Sequence, residues 1–173
     1  MSHDDSTPRE HKVHAPKSVR CFVLTISDTK TPDTDASGRL IREILEKAGH
    51  EVVASAIVRD EPSQVQACIR QQCAPDSRVQ AVITTGGTGI TSRDATFEAV
   101  EALLDKRLPG FGELFRSLSY QEIGPAAMLS RAQAGISQGR IVFSLPGSPS
   151  ACRLAMEKLV TPELGHLLRE ASR

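Results

Sequence analysis

The sequence predicts a single α/β domain, a three-layer α/β/α sandwich around a mainly parallel central sheet. Three observations carry that expectation. Short β-branched runs alternate with longer stretches whose apolar residues recur every three or four positions, the pattern of βαβ units. The strand-like runs are apolar almost without interruption, as strands covered on both faces must be. No internal repeat or interdomain linker divides the chain, and 173 residues suit one domain with a sizeable core.

The elements follow in order. Residues 1–17 (MSHDDSTPREHKVHAPK) offer almost nothing to bury and read as a disordered tail, leaving residues 18–173 as the folded domain. The tail's histidines are irregularly spaced, which favours solvated side chains over a metal site. Residues 19–26 (VRCFVLTI) make the first strand. Residues 37–48 are a helix with Leu40, Ile41, Ile44, Leu45 and Ala48 in one stripe, closed by Gly49. Residues 51–58 (EVVASAIV) are the second strand. Residues 62–73 form a helix opened by Pro62, with Val65, Cys68 and Ile69 inward. Residues 79–85 (VQAVITT) are the third strand and run into TTGGTGITSRD, residues 84–94. Asp94 stands where an N-cap belongs, ahead of Phe97, Val100, Leu103 and Leu104.

Two short helices are expected over residues 109–121 and 125–134. In the first, Phe111, Leu114, Phe115 and Leu118 form a stripe suited to the core or to a subunit interface. Residues 140–145 (RIVFSL) are the last clear strand. PGSPSA then turns the chain into a helix through Leu159, and a final helix runs from Thr161-Pro162 to the end.

Composition narrows the partners. Lysine plus arginine equal aspartate plus glutamate at 21 each, so no net field draws nucleic acid or an anionic membrane. With no Trp and one Tyr there is little on which bases would stack. Cys21, Cys68 and Cys152 lie among apolar positions and read as reduced core thiols, and no Cys-x-x-Cys pair involves Cys73 or any other. No apolar run approaches the ~18 residues of a membrane span. The polar start lacks a signal-peptide core, and the cytoplasm is the expected compartment.

In parallel sheets ligands bind beyond the carboxyl ends of the strands, where strand order reverses. The strand ends here carry Ser27 and Asp28, then Asp60, then Gly86, Gly87, Thr88 and Gly89, then Pro146, Gly147 and Ser148. If the first strand lies between the second and third, Asp60 and Asp94 flank its tip. The glycine loop is neither a Walker A loop nor a dinucleotide fingerprint, since it lacks Lys-Ser/Thr and the third glycine. Two readings stay open: a tight structural turn, or a cradle whose backbone amides bind an anion. Asp94 is open in the same way, since an N-cap worth ~1 kcal/mol needs no function. Asp60 also reads as a turn residue before Pro62. Two carboxylates beside a phosphate would repel it unless a divalent cation lay between, and a magnesium nucleotide resolves that conflict. Ser119, Ser130 and Arg131 sit in a region able to close over this edge, though each alone reads as a surface or capping residue.

TTGGTGITSRD, RDEPSQV, PGFGE at residues 109–113, MLSR at 128–131 and LPGSP at 145–149 together resemble the MoaB/MogA family of molybdenum-cofactor biosynthesis. The likeness covers nearly everything after the tail. DASGRLI, SYQEIG and ACRLAMEKLV are closer to the MoaB branch. The resemblance implies a molybdopterin-binding fold whose active members adenylylate molybdopterin with Mg-ATP and release pyrophosphate. It makes Asp60 and Asp94 the catalytic aspartates and Mg²⁺ holders, although Arg59 replaces the proline of the family's P-D-E motif. Some MoaB proteins lack the first aspartate; this sequence keeps it. Ser119 and Ser130 match serines near the pterin pocket. The resemblance also implies trimers or hexamers, with the molybdate-inserting enzyme as a downstream partner. Two other functions stay open: a molybdopterin-binding paralogue without catalysis, and a CinA-like domain that processes nucleotides.

Overall fold

The computed structural model describes residues 15–92 and 94–173. Most of the stretch expected as a tail, residues 1–14, lies outside the described residues. Its described end is laid on the fold, because a Cβ added at Gly165 would stand 2.3 Å from the Pro16 carbonyl oxygen.

The strands are β1 (Arg20–Ile26), β2 (Glu51–Val58), β3 (Ala81–Thr85), β4 (Lys106–Arg107), β5 (Gln133–Ser137) and β6 (Arg140–Leu145). The helices are α1 (Ala36–Lys47), α2 (Pro62–Cys73), α3 (Thr96–Glu101), α4 (Pro109–Ile123), α5 (Pro149–Ala155) and α6 (Thr161–Ala171). A 3₁₀ segment (Gly124–Leu129) follows α4, and a π turn (Met156–Val160) joins α5 to α6.

The sheet order is β2-β1-β3-β6-β5-β4. β2, β1, β3 and β6 are parallel, and β5 and β4 complete the sheet antiparallel. β1 therefore lies between β2 and β3, and the loops leaving β1, β2, β3 and β6 share one end of the sheet. Strand order reverses at β1, which puts the switch point beside the glycine loop.

β1, β3 and β6 bury both faces, as their apolar runs require, whereas β2, at the sheet edge, is half-buried to exposed and β4 is exposed. On one face Val23, Ile83 and Phe143 pack with Ile41 and Leu45 of α1, Phe115 of α4 and Leu164 of α6. On the other, Leu24, Val82 and Val142 pack with Val65 and Ile69 of α2 and Val100 of α3. Each such side chain contributes roughly 1.5–3 kcal/mol by leaving water. All four cysteines are free, and Cys21, Cys73 and Cys152 are buried. Burial pushes the Cys21 thiol up to about 12 and, as the leading cause, Cys73 to about 11. They are inert core thiols. Among the described residues, no helix is long and apolar enough to cross a membrane.

One expected helix is corrected. Residues 125–134 are not a helix: the 3₁₀ segment ends at Leu129, and the chain enters β5 at Gln133. Close pairing rather than local propensity sets β5, since a Cβ at Gly135 would meet the Lys106 carbonyl oxygen at 2.4 Å. β4 is only two charged residues long and carries no strand signal of its own.

Candidate active site

The four parallel strands deliver their loops to one edge, where they are bonded to one another. Ser27 donates its amide to the Val58 carbonyl at 2.9 Å, tying the exit of β1 to that of β2. Its hydroxyl accepts from the amides of Thr29 and Lys30 at 3.2 and 3.1 Å, which turns the next loop tightly. Asp28 Oδ1 accepts the Asp60 amide at 3.3 Å. From β6, the Pro146 carbonyl accepts the Thr85 hydroxyl at 2.9 Å, and the Gly147 carbonyl accepts the buried Ser37 hydroxyl of α1 at 2.6 Å. Ser148 caps α5 by accepting the Ala151 amide at 3.3 Å.

The glycine loop fills the middle of this edge, and three of its glycines have separate structural causes. Gly86 has φ 104°, and a Cβ there would stand 2.2 Å from the Ile26 carbonyl oxygen at the tip of β1. Gly87 has φ 64°, and its Cβ would meet Thr96 Oγ1 at 2.0 Å and Asp60 Oδ1 at 2.8 Å. At Gly89 the Cβ would meet Asp94 Oδ2 at 2.5 Å. Gly86 and Gly87 each answer to a positive φ and a close neighbour, the Ile26 carbonyl at one and, first, the Thr96 hydroxyl at the other, with Asp60 next. At position 89 it is the Asp94 carboxylate that needs the space.

Both candidate carboxylates thus stand against one short loop, and each is held there. Asp60 Oδ1 accepts the Thr96 hydroxyl at 3.0 Å, while the Thr96 amide donates to the Gly87 carbonyl at 3.1 Å. Asp94 Oδ2 accepts the Thr91 hydroxyl at 2.6 Å and the Thr91 amide at 2.9 Å. Those bonds, the hydroxyl's first, hold the Asp94 carboxyl below the usual carboxylate range, with Arg131 nearby adding to the effect.

This corrects the expectation that Asp94 caps the following helix. α3 starts at Thr96, its cap position is Ala95, and no side chain caps it. The Thr91 donors lie within the same loop and claim the carboxylate first.

Arg131 lies behind the loop. It donates to the carbonyls of Thr88 (3.2 Å), Gly89 (2.5 Å) and Asp94 (3.0 Å), pairs with Glu98, and sits over the Phe97 ring at 5.1 Å. Ser130 precedes it, with its hydroxyl accepting the Ala132 amide at 3.4 Å. Ser119 is buried within α4 and, among the described residues, is joined to none of these loops by a hydrogen bond. The structure therefore brings together Ser27, Asp28, Asp60, Gly86, Gly87, Thr88, Gly89, Asp94, Arg131, Pro146, Gly147 and Ser148, and leaves Ser119 apart.

A cavity of about 530 Å³ opens beside this edge and is lined by Ser27, Asp28, Lys30, Arg42 and Arg59, among others. Asp28 connects it to Asp60 through the bond given above. Its lining sets Lys30, Arg42 and Arg59 against the carboxylates of Asp28 and Asp35, with Lys30 Nζ 3.8 Å from Asp35 Oδ1, a small cationic excess that suits an anionic ligand only weakly. The donor set at the loop consists of hard carboxylate oxygens, the ligands Mg²⁺ prefers. Among the described residues, no group of three or more His, Cys, Asp or Glu side chains could hold a metal. Two carboxylates could hold a Mg²⁺ only if water and phosphate oxygens completed its shell, as in nucleotide sites.

Two further residues belong to the site, and only one of them is legible by spacing. Thr91 carries a local signal, a hydroxyl three positions before an aspartate, which is side-chain turn spacing. Thr96 carries none, because its partner Asp60 lies 36 positions away.

Comparison with known proteins agrees with this architecture. Residues 22–166 match the family described as "Probable molybdopterin binding domain". The chain is 55% identical over 162 residues to molybdenum cofactor biosynthesis protein B of Halalkalibacterium halodurans, covering 93% of this chain and 95% of that one. A crystal structure of a molybdenum cofactor biosynthesis protein B superimposes with a TM-score of 0.88 at 53% identity, covering 92% of this chain and 99% of the other. The tungsten cofactor synthesizing protein MoaB from Pyrococcus furiosus superimposes with a TM-score of 0.80 at 42% identity, covering 92% and 100%. The chain belongs to this molybdenum cofactor biosynthesis family, on its MoaB side.

Proposed function

We propose that this protein transfers AMP from Mg-ATP to molybdopterin, giving adenylyl-molybdopterin and pyrophosphate. One observation carries the reading: Asp60 and Asp94 are both kept and both seated against the same glycine loop, at positions where only glycine leaves them room. A turn accounts for the positive φ of Gly87, but it would not need glycine at 89 to admit a carboxylate.

The reaction forms a bond between a terminal phosphate oxygen of molybdopterin and the α-phosphorus of ATP, and breaks the bond from that phosphorus to the bridging oxygen of the departing pyrophosphate. Both reactants are anions, so charge must be neutralised before orientation can help. Asp60 and Asp94 are the residues to hold Mg²⁺, which supplies charge neutralisation at the phosphates. Backbone amides of the glycine loop hold phosphate oxygens. The attacking phosphate is already ionised, so no general base is required of the chain. Lys30, Arg42 and Arg59 in the adjoining cavity give anionic substrate a weakly favourable approach.

The assembly proposed with this activity is a trimer, pairable into a hexamer. Leu114, Tyr120 and Ile123 of α4, with Met128 and Leu129 of the 3₁₀ segment, are large apolar side chains left exposed along this stretch of chain. Such side chains are buried more readily against another copy than left in water. Adenylyl-molybdopterin then passes to the molybdate-inserting enzyme.

The test is incubation of the protein with molybdopterin and Mg-ATP, followed by detection of the adenylylated pterin in a single turnover. AMP transfer supports the reading. Pterin binding without transfer makes the chain a binding paralogue, and turnover of a nucleotide without pterin makes it a CinA-like domain.

A further inference from the structure

The guanidinium of Arg131 is committed to the chain itself. Three backbone carbonyls, those of Thr88, Gly89 and Asp94, accept its N–H groups, the Glu98 carboxylate pairs with it, and Phe97 covers its face. An arginine placed to receive a phosphate presents its fork to the ligand. This one presents it to the back of a loop.

The geometry of the peptide bond says what that does. In a trans peptide the carbonyl and the next residue's N–H point in opposite directions. Drawing the Thr88, Gly89 and Asp94 carbonyls toward Arg131 therefore turns the N–H groups of Gly89, Ile90 and Ala95 away from it. The Asp94 carboxylate stands against Gly89, where even a Cβ would not fit. Arg131 also grips the carbonyl of Asp94 itself, so both the residue and its seat are fixed by one side chain.

We propose that Arg131 is a positioning residue that fixes the glycine loop from behind and, through the loop, sets the Asp94 carboxylate, rather than a ligand for nucleotide phosphate. The inference rests on the AMP-transfer reading for its catalytic consequence. The clamp itself does not. A glycine-rich loop has no side-chain packing to hold it, and the entropy of its backbone is large. Several charge-assisted bonds from one planar group supply what the loop's own residues lack.

Arg131→Lys is the informative change, because it keeps the charge beside Asp94 and loses the planar fork. Arg131→Met removes both. Amide hydrogen exchange of the loop, read by NMR, needs no substrate. Arg131→Lys should speed exchange of the Thr91 amide, which donates to Asp94 Oδ2, by roughly 10-fold although the charge is unchanged. In AMP transfer, measured at matched folded fraction, Arg131→Lys should lower kcat by roughly 10–100-fold, as a misplaced catalytic group does. It should change the KM for ATP much less and leave molybdopterin affinity as in the wild type. Unchanged Thr91 amide exchange in Arg131→Lys overturns the clamp. So does a raised KM for ATP with kcat kept, the pattern of a direct phosphate ligand. If the wild type itself transfers no AMP, the reaction assigned above fails, while the exchange measurement still decides the clamp.

Discussion

Thr96 donates its hydroxyl to Asp60 Oδ1 at 3.0 Å and its amide to the Gly87 carbonyl at 3.1 Å. One buried residue thereby joins a carboxylate delivered by β2 to a loop delivered by β3. Thr96→Val keeps the shape and deletes the hydroxyl. It should destabilise the fold by about 1 kcal/mol in urea unfolding and lower AMP transfer by roughly 10-fold, with Thr96→Ser close to the wild type in both. Full transfer by Thr96→Val would show that Asp60 needs no such support.

The two aspartates should behave alike in catalysis. Asp60→Ala and Asp94→Ala should each lower AMP transfer by on the order of 100-fold or more, ~2.7 kcal/mol of transition-state stabilisation. Molybdopterin affinity should survive, because losing a carboxylate removes repulsion from an anionic pocket. Asp94→Ala should leave α3 intact by circular dichroism, since Asp94 does not cap that helix. Near-normal transfer in both variants would leave the chain a binding module.

The Thr91 hydroxyl gives Asp94 a pH signature. Its carboxyl is held below 3.8, its unperturbed value, with that hydroxyl as the largest cause. A depressed folded value means that the carboxylate's stabilising contribution is present above the unfolded value and is lost as pH falls through the lower folded one. Thr91→Val should move the Asp94 titration upward. The stability difference between wild type and variant should be full above about pH 4–5 and fade as the pH drops further. A difference that persists undiminished at pH 2 would assign the effect to packing.

Two glycines with similar backbone angles should respond differently to alanine. Gly49 has φ 87° and open space around its missing Cβ, so Gly49→Ala should cost only backbone strain, about 1 kcal/mol. Gly87 has φ 64° and would drive its Cβ into Thr96 and Asp60. Gly87→Ala should cost more stability than Gly49→Ala and should abolish most AMP transfer, whereas Gly49→Ala should retain it. Equal activity of the two variants at matched folded fraction would mean that the close packing at position 87 has no functional weight.

What could be read from the sequence followed the range of each interaction. β1, β3 and β6 announce themselves because a strand covered on both faces must be largely apolar, the edge strand β2 by its β-branched run, and α1 because its stripe repeats at helical spacing. β5 is hidden because Gly135 is selected by a neighbouring backbone and not by any β preference. The strand-end rule points to the edge where the four loops meet, and the glycines mark its middle. The fate of Asp94 was misjudged locally, since its cap position is one residue from the true one and Thr91 competes for it. Thr96 and the direction of Arg131 depend on elements far apart in the chain, where spacing carries no information.

The exposed apolar side chains of α4 and the 3₁₀ segment should be covered in an assembly. Multi-angle light scattering should give a trimer or hexamer at micromolar concentration. Leu114, 57% exposed, and Met128, 77% exposed, are the side chains to replace, as Leu114→Asp and Met128→Asp. Both variants should shift the mass toward the monomer with little change in far-ultraviolet circular dichroism. A wild-type monomer would remove these side chains from the account.

The π turn between α5 and α6 acts as a correction of rotational phase. Cys152, Met156, Val160, Leu164 and Leu168 are all buried at every fourth position. On a helix of 3.6 residues per turn, each four-residue step overshoots by about 40°, so such a row would soon wind away from the sheet. The wider turn at Met156–Val160 takes back part of that drift, with the Met156 carbonyl accepting both the amide of Thr161 and, at 2.9 Å, its hydroxyl. The same loosened turn is where Pro162, which lacks an N–H, enters the helix without breaking it. Deleting one residue from the turn would rotate everything beyond it by about 100°. Leu164 and Leu168 would swing off the sheet together, and thermal melting should register the loss as a single large step.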